Sequence, residues 1–176
     1  MNFVPTNYVI PYSDDIHSDI YNEQSVLGVI SKTPELSEFY KVVKFTKMEE
    51  TLDLSNRITI FAPANDVFTK KINIDLSDFL NAKNVIMSSM IRGIYTQDDL
   101  IKNITYKDYD IYTGKHKLKI FPRTYHSYRP YNKIIINMSS GSLNVNGKVN
   151  IVKDSIHTDN GIIHITDGIL VPEILI

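Results

Sequence analysis

Hydrophobic residues in the first half of the chain recur at helical spacing. Ser25 can cap a helix over VLGVIS, and Thr33-Pro34 supplies a capping hydroxyl followed by proline at the first helical position. Apolar side chains then recur at i, i+3, i+4 and i+7, at Leu36, Phe39, Tyr40 and Val43. This spacing predicts a helix with one face packed on a core. A short helical turn is predicted over MEETLD.

The stretch RITIFAPANDVF, residues 57 to 68, predicts a strand, a turn and a helix in close succession. Ile58 to Phe61 is β-branched and aromatic, which indicates a buried strand. The strand is expected to end at Ala62-Pro63, because proline cannot donate to a sheet ladder. Asn65 is predicted to cap the following helix, with Asp66 in its first turn.

From Leu76 onward the pattern changes from helix to short strands. The stretch from Leu76 to Ile91 is mostly helical in pattern, and after Gly93 the sequence predicts a short strand and a capped turn that begins at Thr96. ITYKDYDIY and HKLKIF then flank a hairpin turn, and Asn146-Gly147 marks another turn further on. Helices followed by antiparallel strands predict an α+β fold.

The 176 residues are most simply one domain, over residues 25 to 176. Residues 1 to 24 contain prolines and acids without a sustained period, and are predicted to form an N-terminal arm or tail. The chain's start lacks the basic region of a secretory signal, and no stretch is long and apolar enough to predict a membrane span. The sequence alone therefore leaves the compartment open.

Charge and motif content exclude several classes of function. A net charge of -1 argues against a nucleic-acid binder, and the absence of cysteine excludes disulfides, a thiol nucleophile and cysteine-ligated zinc. His157 and His164 lack a zinc-ligand spacing, and no third ligand is evident. Serine-hydrolase, phosphate-loop and metalloprotease motifs are missing. We therefore expect no catalytic, cofactor-binding or metal-binding residues, and a protein that is not an enzyme.

Two segments resemble the signature segments of the fasciclin domain family, also called the fasciclin-like adhesion domain. They are TIFAPANDVF, residues 59 to 68, and NGIIHITDGILVP, residues 160 to 172. The matching positions are Phe61, Pro63, Asn65, Phe68, Asn160, Gly161, His164, Asp167 and Pro172. Their order, their separation and the helical lead-in from Ser25 are also similar to the family pattern, so the resemblance covers residues 25 to 172.

The resemblance implies a wedge-shaped antiparallel β-sandwich flanked by helices, with the two signature strands close together in the core. It also implies an extracellular or surface-associated module of cell adhesion that has no cofactor. Many members carry a Tyr-His pair, linked to integrin contact, where this chain has Ser88-Ser89. The chain also has no Arg-Gly-Asp, so integrin binding is not expected to carry over.

His164 has two interpretations. Alternation along its strand puts Ile163 and Ile165 on one face, and Ile162, His164 and Thr166 on the other. The residue is either a ligand or base, or a structural histidine that bonds to partners between layers. We favour the structural interpretation, because buried polar groups normally find partners. Asp167 is predicted to be an acceptor that caps a turn.

The segment PRTYHSYRPYNK interleaves aromatic and basic residues. Its candidate partner-binding residues are Arg123, Tyr125, His126, Tyr128, Arg129 and Tyr131. Such a loop suits protein or glycan contact at a surface, whereas the alternative is a hairpin loop whose tyrosines cover the sandwich edge. The predicted function is thus a non-enzymatic module of adhesion or surface attachment. The alternative is a structural component that self-associates, through its arm for example, into a coat, matrix or particle.

Overall fold

The computed structural model describes residues 22–172. The predicted arm lies outside the described residues up to position 21. Within residues 22–24 the chain is hydrogen-bonded to the domain, because the Asp159 amide donates to the Gln24 carbonyl at 2.7 Å and the Asn22 amide donates to Asp53 Oδ1 at 3.1 Å. The α-helices are α1 (Val26–Lys32), α2 (Ser37–Phe45), α3 (Glu49–Leu54), α4 (Phe79–Ser88) and α5 (Gln97–Ile104), with 3₁₀ turns at Pro34–Leu36 and Asn65–Thr69.

The strands form three sheets. They are β1 (Ile58–Pro63), β2 (Met90–Arg92), β3 (Thr105–Tyr109), β4 (His116–Ile120), β5 (Arg123–His126), β6 (Lys133–Ser139), β7 (Ser142–Val145), β8 (Val149–Asn150), β9 (Ile156–His157) and β10 (Gly161–Thr166). The central sheet has the order β2-β1-β10-β9, the C-terminal sheet has the order β5-β6-β7-β8, and β3 pairs with β4. The predicted α+β class is confirmed.

Local signals explain most helix starts. The Ser25 hydroxyl accepts from the Gly28 amide and caps α1, as predicted. Thr96 and Asp99 form a reciprocal capping box at the start of α5. Thr33, by contrast, makes no capping bond: its hydroxyl donates to the Val29 carbonyl, and Pro34 opens a 3₁₀ turn before α2 begins at Ser37.

The predicted helix from Leu76 to Ile91 is shorter in the structure. It begins at Phe79, where the Asp78 carboxylate caps the Asn81 amide, and it ends at Ser88. Residues Met90–Arg92 instead form β2, because they pair with the buried strand β1. Tertiary pairing here overrides a helical pattern that looked continuous in sequence.

Strands β1 and β10 pair in parallel, in a register that places Phe61 opposite His164 and Pro63 opposite Thr166. This pair departs from the antiparallel arrangement expected throughout, whereas the other strand pairs of the described chain are antiparallel. Every residue of both strands is buried, as in the interior of a parallel sheet. Strand β1 continues through Pro63 because the missing proline donor falls at its last position.

The central sheet separates two hydrophobic cores. Helices α1 to α4 pack on one face, against side chains that include Ile60 and Ile163. Helix α5 and the C-terminal sheet pack on the other face, against Phe61. The apolar face predicted for α2 lies in the first core, with Leu36 and Phe39 fully buried. The layered arrangement confirms the expected sandwich flanked by helices.

Candidate functional site

His164 links three segments of the chain between the two cores. Its Nε2 lies 2.7 Å from the Tyr95 carbonyl, and its Nδ1 lies 2.5 Å from Ser155 Oγ. A carbonyl only accepts, so Nε2 carries the proton and Nδ1 accepts from the serine hydroxyl. The Gln97 side chain donates in turn to Ser155 Oγ at 3.0 Å. The ring also stacks on Phe61, with centroids 5.4 Å apart.

Burial lowers the pKa of His164 to about 4. The hydrogen bond to the Tyr95 carbonyl raises this pKa, and the neighbouring His157 lowers it slightly further. The imidazole is therefore neutral at physiological pH, its two nitrogens are engaged, and the side chain is fully buried. A base needs a free nitrogen within reach of a substrate, and this ring has none. The arrangement ties the β2–α5 connection and the β8–β9 connection to β10.

The two signature asparagines bind helix ends far away in sequence. Asn65 does not cap the turn that follows it, which begins after Ala64 without a side-chain bond. Its Oδ1 instead accepts from the Glu38 amide at 2.9 Å in the first turn of α2, and its Nδ2 donates to the Pro34 carbonyl. The prediction of a local cap was therefore wrong, because the nearest orphan donors belong to another helix.

Asn160 has the same role at the opposite end of the fold. Its Oδ1 accepts from the Val26 amide at 2.8 Å and its Nδ2 donates to the carbonyls of Leu52 and Ser55. One side chain thus serves the start of α1 and the end of α3. The next residue, Gly161, has to be a glycine, because a Cβ atom at this position would lie 2.2 Å from the Ile58 carbonyl oxygen.

The remaining signature residues also contact the interior of the domain. Asp167 accepts from the Asn150 amide at 2.7 Å and from its side-chain amide, and so fixes the chain after β10. Phe68 packs against the first core and Pro172 is buried. In the described chain, these residues hold elements together and do not form an open site.

The candidate partner-binding segment divides into buried and outward parts. Arg123–His126 is strand β5, not a loop, and the Tyr125 side chain is buried in the second core. The Tyr125 hydroxyl accepts from Asn103 Nδ2, its ring meets Tyr95 edge to face, and burial raises its pKa. Tyr125 is therefore unavailable to a partner, contrary to the expectation of an exposed loop. Arg123 stays exposed, with its guanidinium over the Tyr125 ring.

The outward part includes an arginine from another strand. Ile91 bridges Ser127 in antiparallel register, so Arg92 lies beside His126 at the end of β5. The Arg92 guanidinium stacks 4.6 Å from the centre of the Tyr128 ring. Sequence reasoning missed this arginine, because only the tertiary bridge brings β2 to the segment. We call the group Arg92, His126, Tyr128, Arg129 and Tyr131 the arginine–tyrosine surface.

A buried frame holds the arginine–tyrosine surface in place. The Ser127 hydroxyl lies 2.9 Å from the Asn132 carbonyl and 3.1 Å from the Arg129 carbonyl, and it accepts from the Arg129 amide. Tyr131, at the tip, is 95% exposed and has a left-handed backbone with φ 63°. Left-handed backbone is uncommon for a bulky residue, and such outliers concentrate at functional positions.

The arginines of this surface are electrostatically unsatisfied. Among residues 22–172, the ion pairs involve lysines only, and no carboxylate pairs with Arg92 or Arg129. The Arg129 Nε atom is buried and has no hydrogen-bond partner within the same residues. A guanidinium in this state favours an incoming carboxylate, sulfate or phosphate.

The β3–β4 hairpin, residues 105–121, is a second exposed surface that sequence reasoning predicted as structure but not as a site. Its large hydrophobic side chains are exposed, namely Tyr106, Tyr109, Ile111, Tyr112, Leu118, Ile120 and Phe121. An apolar patch of this kind on a folded domain commonly marks an interaction site. The sequence carried no signal of this exposure, because Leu118 and Ile120 alternate with Lys117 and Lys119, a pattern typical of a strand with one buried face.

Other features of the described chain offer no reactive constellation. A shallow groove of about 260 Å³ lies between α5, the β6–β7 turn and the segment after β8, with Lys153 and Asp154 at its rim. Within residues 22–172 no group of three acidic or histidine side chains is placed to hold a metal ion. The helices in this range are also too short and too polar to cross a membrane. Ser88 and Ser89, at the position of the relatives' Tyr-His pair, are buried.

The paired signature strands, the two cores and the asparagine caps define an α+β domain with a central mixed sheet. The sequence model of the Fasciclin domain matches residues 34–172, and the chain belongs to the fasciclin domain family. A solved FAS1 domain pair from the insect cell adhesion molecule fasciclin I is similar in fold, with a TM-score of 0.64 and 22% identity. The match covers 85% of this chain and 51% of that one, so this chain spans about half its length. A search of curated proteins gave no match.

Proposed function

We propose that this domain is a non-enzymatic interaction module for adhesion or surface attachment, and that it binds a protein or glycan through the arginine–tyrosine surface. The family consists of adhesion-type modules, which supports the general role. The same resemblance supports an extracellular or surface-associated location. The related insect molecule is itself a cell adhesion molecule, although the likeness to it establishes only the fold.

The observation that carries the proposal is the state of Arg129 and its neighbours. The Arg92 guanidinium stacks on the Tyr128 ring, and within the described residues neither Arg92 nor Arg129 has a carboxylate partner. The buried Ser127 fixes the backbone of this segment. A preorganised surface loses little entropy when it binds. Arginine and tyrosine are also the residues that most often dominate interfaces. The expected partner therefore presents an acidic group next to an apolar or sugar face.

The non-enzymatic part of the proposal is supported by the state of the polar groups. His164 is fully buried and burial lowers its pKa to about 4, so it is a weak base towards Ser155 at neutral pH. The outward histidine, His126, has no bond to a nucleophilic side chain in the described chain. The arginine–tyrosine surface instead provides contact area and positive charge.

The test compares two tyrosines of equal exposure. The purified full chain is screened against an array of neutral, sulfated and carboxylated glycans and against intact cells by flow cytometry. Tyr131→Ser and Arg129→Gln are expected to reduce binding at least about tenfold, the usual scale for an interface anchor. Tyr112→Ser, which changes a residue 93% exposed on the hairpin, is the matched control and should leave binding unchanged.

Three results would contradict the proposal. Equal loss in Tyr131→Ser and Tyr112→Ser would show non-specific aromatic adhesion. Loss only in Tyr112→Ser would move the contact to the hairpin. If the unmodified chain bound neither glycans nor cells, adhesion would lose its support.

Self-assembly into a coat, matrix or particle is the second candidate function. The exposed apolar hairpin favours it, because an uncovered strand pair can join a second copy edge to edge. Light scattering of the full chain over a wide concentration range distinguishes the two functions. A strict monomer at the highest concentration excludes self-assembly and leaves adhesion untouched.

A further inference from the structure

The β3–β4 hairpin extends from the domain with both of its faces open. Every residue from Tyr106 to Thr124 is exposed, whereas an antiparallel sheet commonly packs one face on a core. The hairpin is held at its base, where β3 follows α5 directly and the Phe121 amide donates to the Ile104 carbonyl at 2.9 Å. A protein partner covers one face of such an element, whereas a lipid surface can surround its end.

The tip of the hairpin presents an aliphatic and an aromatic side chain. Ile111 is 74% exposed and Tyr112 is 93% exposed. The tyrosine ring is apolar with a polar hydroxyl at its end, and such rings concentrate at the boundary between membrane and water. The two neighbouring side chains therefore have the chemistry of a shallow membrane anchor.

The backbone of the tip is hydrogen-bonded within the hairpin. The Asp110 carboxylate accepts from the amides of Tyr112 and Thr113, at 2.8 Å and 3.3 Å. The Gly114 amide donates to the Asp110 carbonyl at 2.8 Å, and the Asp110 amide donates to the Lys115 carbonyl at 2.9 Å. Backbone groups that enter an apolar medium without partners are costly, so this internal bonding suits contact with lipid.

The hairpin also has an excess of positive charge. It contains four lysines and two aspartates. Asp108 forms a salt bridge with Lys119 at 2.8 Å. The other three lysines, Lys107, Lys115 and Lys117, form no salt bridge within the described part of the chain. The positive charge thus lies close behind an apolar tip.

Charge distinguishes between the possible occupants of this surface. Self-assembly through the hairpin would bring together two surfaces of the same positive sign, which opposes the contact. An anionic bilayer instead supplies negative headgroups next to an apolar interior, and each lysine near such a leaflet contributes to binding. Of these two occupants, only the bilayer matches both the charge and the apolar tip.

We propose that the β3–β4 hairpin binds an anionic lipid bilayer through its tip. Ile111 and Tyr112 enter the boundary between headgroups and acyl chains. Lys115 is part of the tip, and Lys117 lies two strand positions further back, about 7 Å at the rise of a β-strand. The headgroup layer of one leaflet is about 5–7 Å thick, so both ammonium groups lie among the lipid phosphates.

The inference is independent of the partner contact proposed above. Intact cells present little of the required charge, because the anionic lipids of a plasma membrane lie in its cytoplasmic leaflet. Tyr112→Ser therefore remains the control in the cell-binding assay. Loss of glycan or cell binding in Arg129→Gln would likewise leave the measurements on vesicles unaffected.

The test uses tryptophan, which this chain lacks, as a reporter of position. In the full-length protein, Tyr112→Trp places one tryptophan at the tip, and Tyr131→Trp places one on the arginine–tyrosine surface at nearly equal exposure. Each protein is mixed with vesicles of phosphatidylcholine alone or of phosphatidylcholine with phosphatidylserine. For Tyr112→Trp on the anionic vesicles we expect a blue shift of fluorescence and quenching by brominated acyl chains. Tyr131→Trp should show neither.

Matched substitutions separate the apolar contribution from the charge. Vesicle co-sedimentation measures the affinity of each variant for the anionic vesicles. Ile111→Ser should weaken binding at least about tenfold, and Leu54→Ser, at a residue 69% exposed in α3, should leave it unchanged. Lys115→Gln should weaken binding about fivefold, and Lys148→Gln in the β7–β8 turn should not. Added salt should weaken binding of the unmodified chain.

Four results would overturn the proposal. The first is no blue shift of Tyr112→Trp on anionic vesicles. The second is an equal response on neutral vesicles or in Tyr131→Trp. The third is a blue shift of Tyr112→Trp that rises with protein concentration in the absence of vesicles, because it would assign the hairpin to a second copy. The fourth is the same shift with soluble poly-glutamate in place of vesicles, because it would assign the hairpin to an acidic protein.

Discussion

Two strand pairs of this domain have opposite surroundings. Strands β1 and β10, which carry the family's signature segments, are buried along their whole length. Strands β3 and β4 are exposed from Tyr106 onward on both faces. The difference separates two roles: the recognisable segments form the scaffold, and the side chains free to meet a partner lie elsewhere. A signature can therefore identify a family without marking its contact surface.

The scaffold role follows from the polar contacts of the signature residues. Asn65, Asn160 and His164 each bind backbone groups from elements distant in sequence. Such groups would be buried without partners if the side chain were removed, and each unsatisfied group costs about 1–3 kcal/mol. Substitution in the signature strands should thus change stability, and substitution on the exposed surfaces should change binding.

The largest expected effect is at Gly161. In Gly161→Ala the new methyl group would lie 2.2 Å from the Ile58 carbonyl oxygen, and neither backbone can move without breaking the β1–β10 pair. We expect the free energy of unfolding to fall by about 3 kcal/mol or more, measured by urea denaturation. Gly168→Ala is the control, because its methyl group meets only the Val149 side chain and should cost about 1 kcal/mol. Equal costs would show that the close approach of β1 and β10 is not limiting.

Much of this scaffold was predictable from local pattern. The buried strand at Ile58, the apolar face of α2 and the Asn146-Gly147 turn were read correctly because each depends on neighbouring residues. At the turn both residues have left-handed backbone, with φ 57° and 70°. The parallel pairing of β1 with β10 joins segments about a hundred residues apart, and no local period encodes it.

The site was less accessible to sequence reasoning for the same reason. The alternation of residues 162–166 predicted the faces of β10, but not that His164 meets Ser155 and the Tyr95 carbonyl. The aromatic and basic residues around Tyr125 indicated a contact surface, but their sequence does not show which of the side chains point into the core. Arg92 enters that surface through a single bridge between β2 and the end of β5.

His164 should make stability depend on pH. Its pKa is about 4 in the folded state and near 6.5 in the unfolded chain, so the unfolded state binds the proton more readily. The stabilisation is complete above pH 6.5 and is lost as the pH falls towards 4, by up to about 3 kcal/mol for a shift of this size. Urea unfolding across this range measures the slope.

His164→Gln removes the titration and part of the hydrogen bonding. We expect it to lower stability by about 1–3 kcal/mol at neutral pH and to flatten the slope between pH 4 and 6.5. His157→Gln changes the exposed neighbouring histidine and should retain most of the slope. A slope that survives in His164→Gln would assign the pH dependence to other groups.

A smaller effect is expected at Asn65. Asn65→Ala removes the acceptor for the Glu38 amide and the donor to the Pro34 carbonyl, and should cost about 1–2 kcal/mol, as for a helix cap. Asn65→Asp keeps the acceptor, and its charge is favourable at a helix start, so it should recover about half of the loss. Thermal unfolding of the unmodified protein, Asn65→Ala and Asn65→Asp measures these differences in stability. If Asn65→Asp were as unstable as Asn65→Ala, the donor bonds would carry the whole effect.

The smallest effect on stability, and the sharpest contrast with Gly161, is expected at Tyr131. This residue is exposed and has a left-handed backbone, a conformation that asparagine adopts more readily than tyrosine. Tyr131→Asn should therefore leave the free energy of unfolding unchanged or raise it by about 0.5 kcal/mol. The same substitution should lower partner binding as far as Tyr131→Ser does, because the aromatic ring is lost in both. A variant that is more stable and binds less would show that strain at Tyr131 is retained for contact. Undiminished binding by a stabilised Tyr131→Asn would instead make Tyr131 an ordinary turn residue and leave Arg129 to carry the surface.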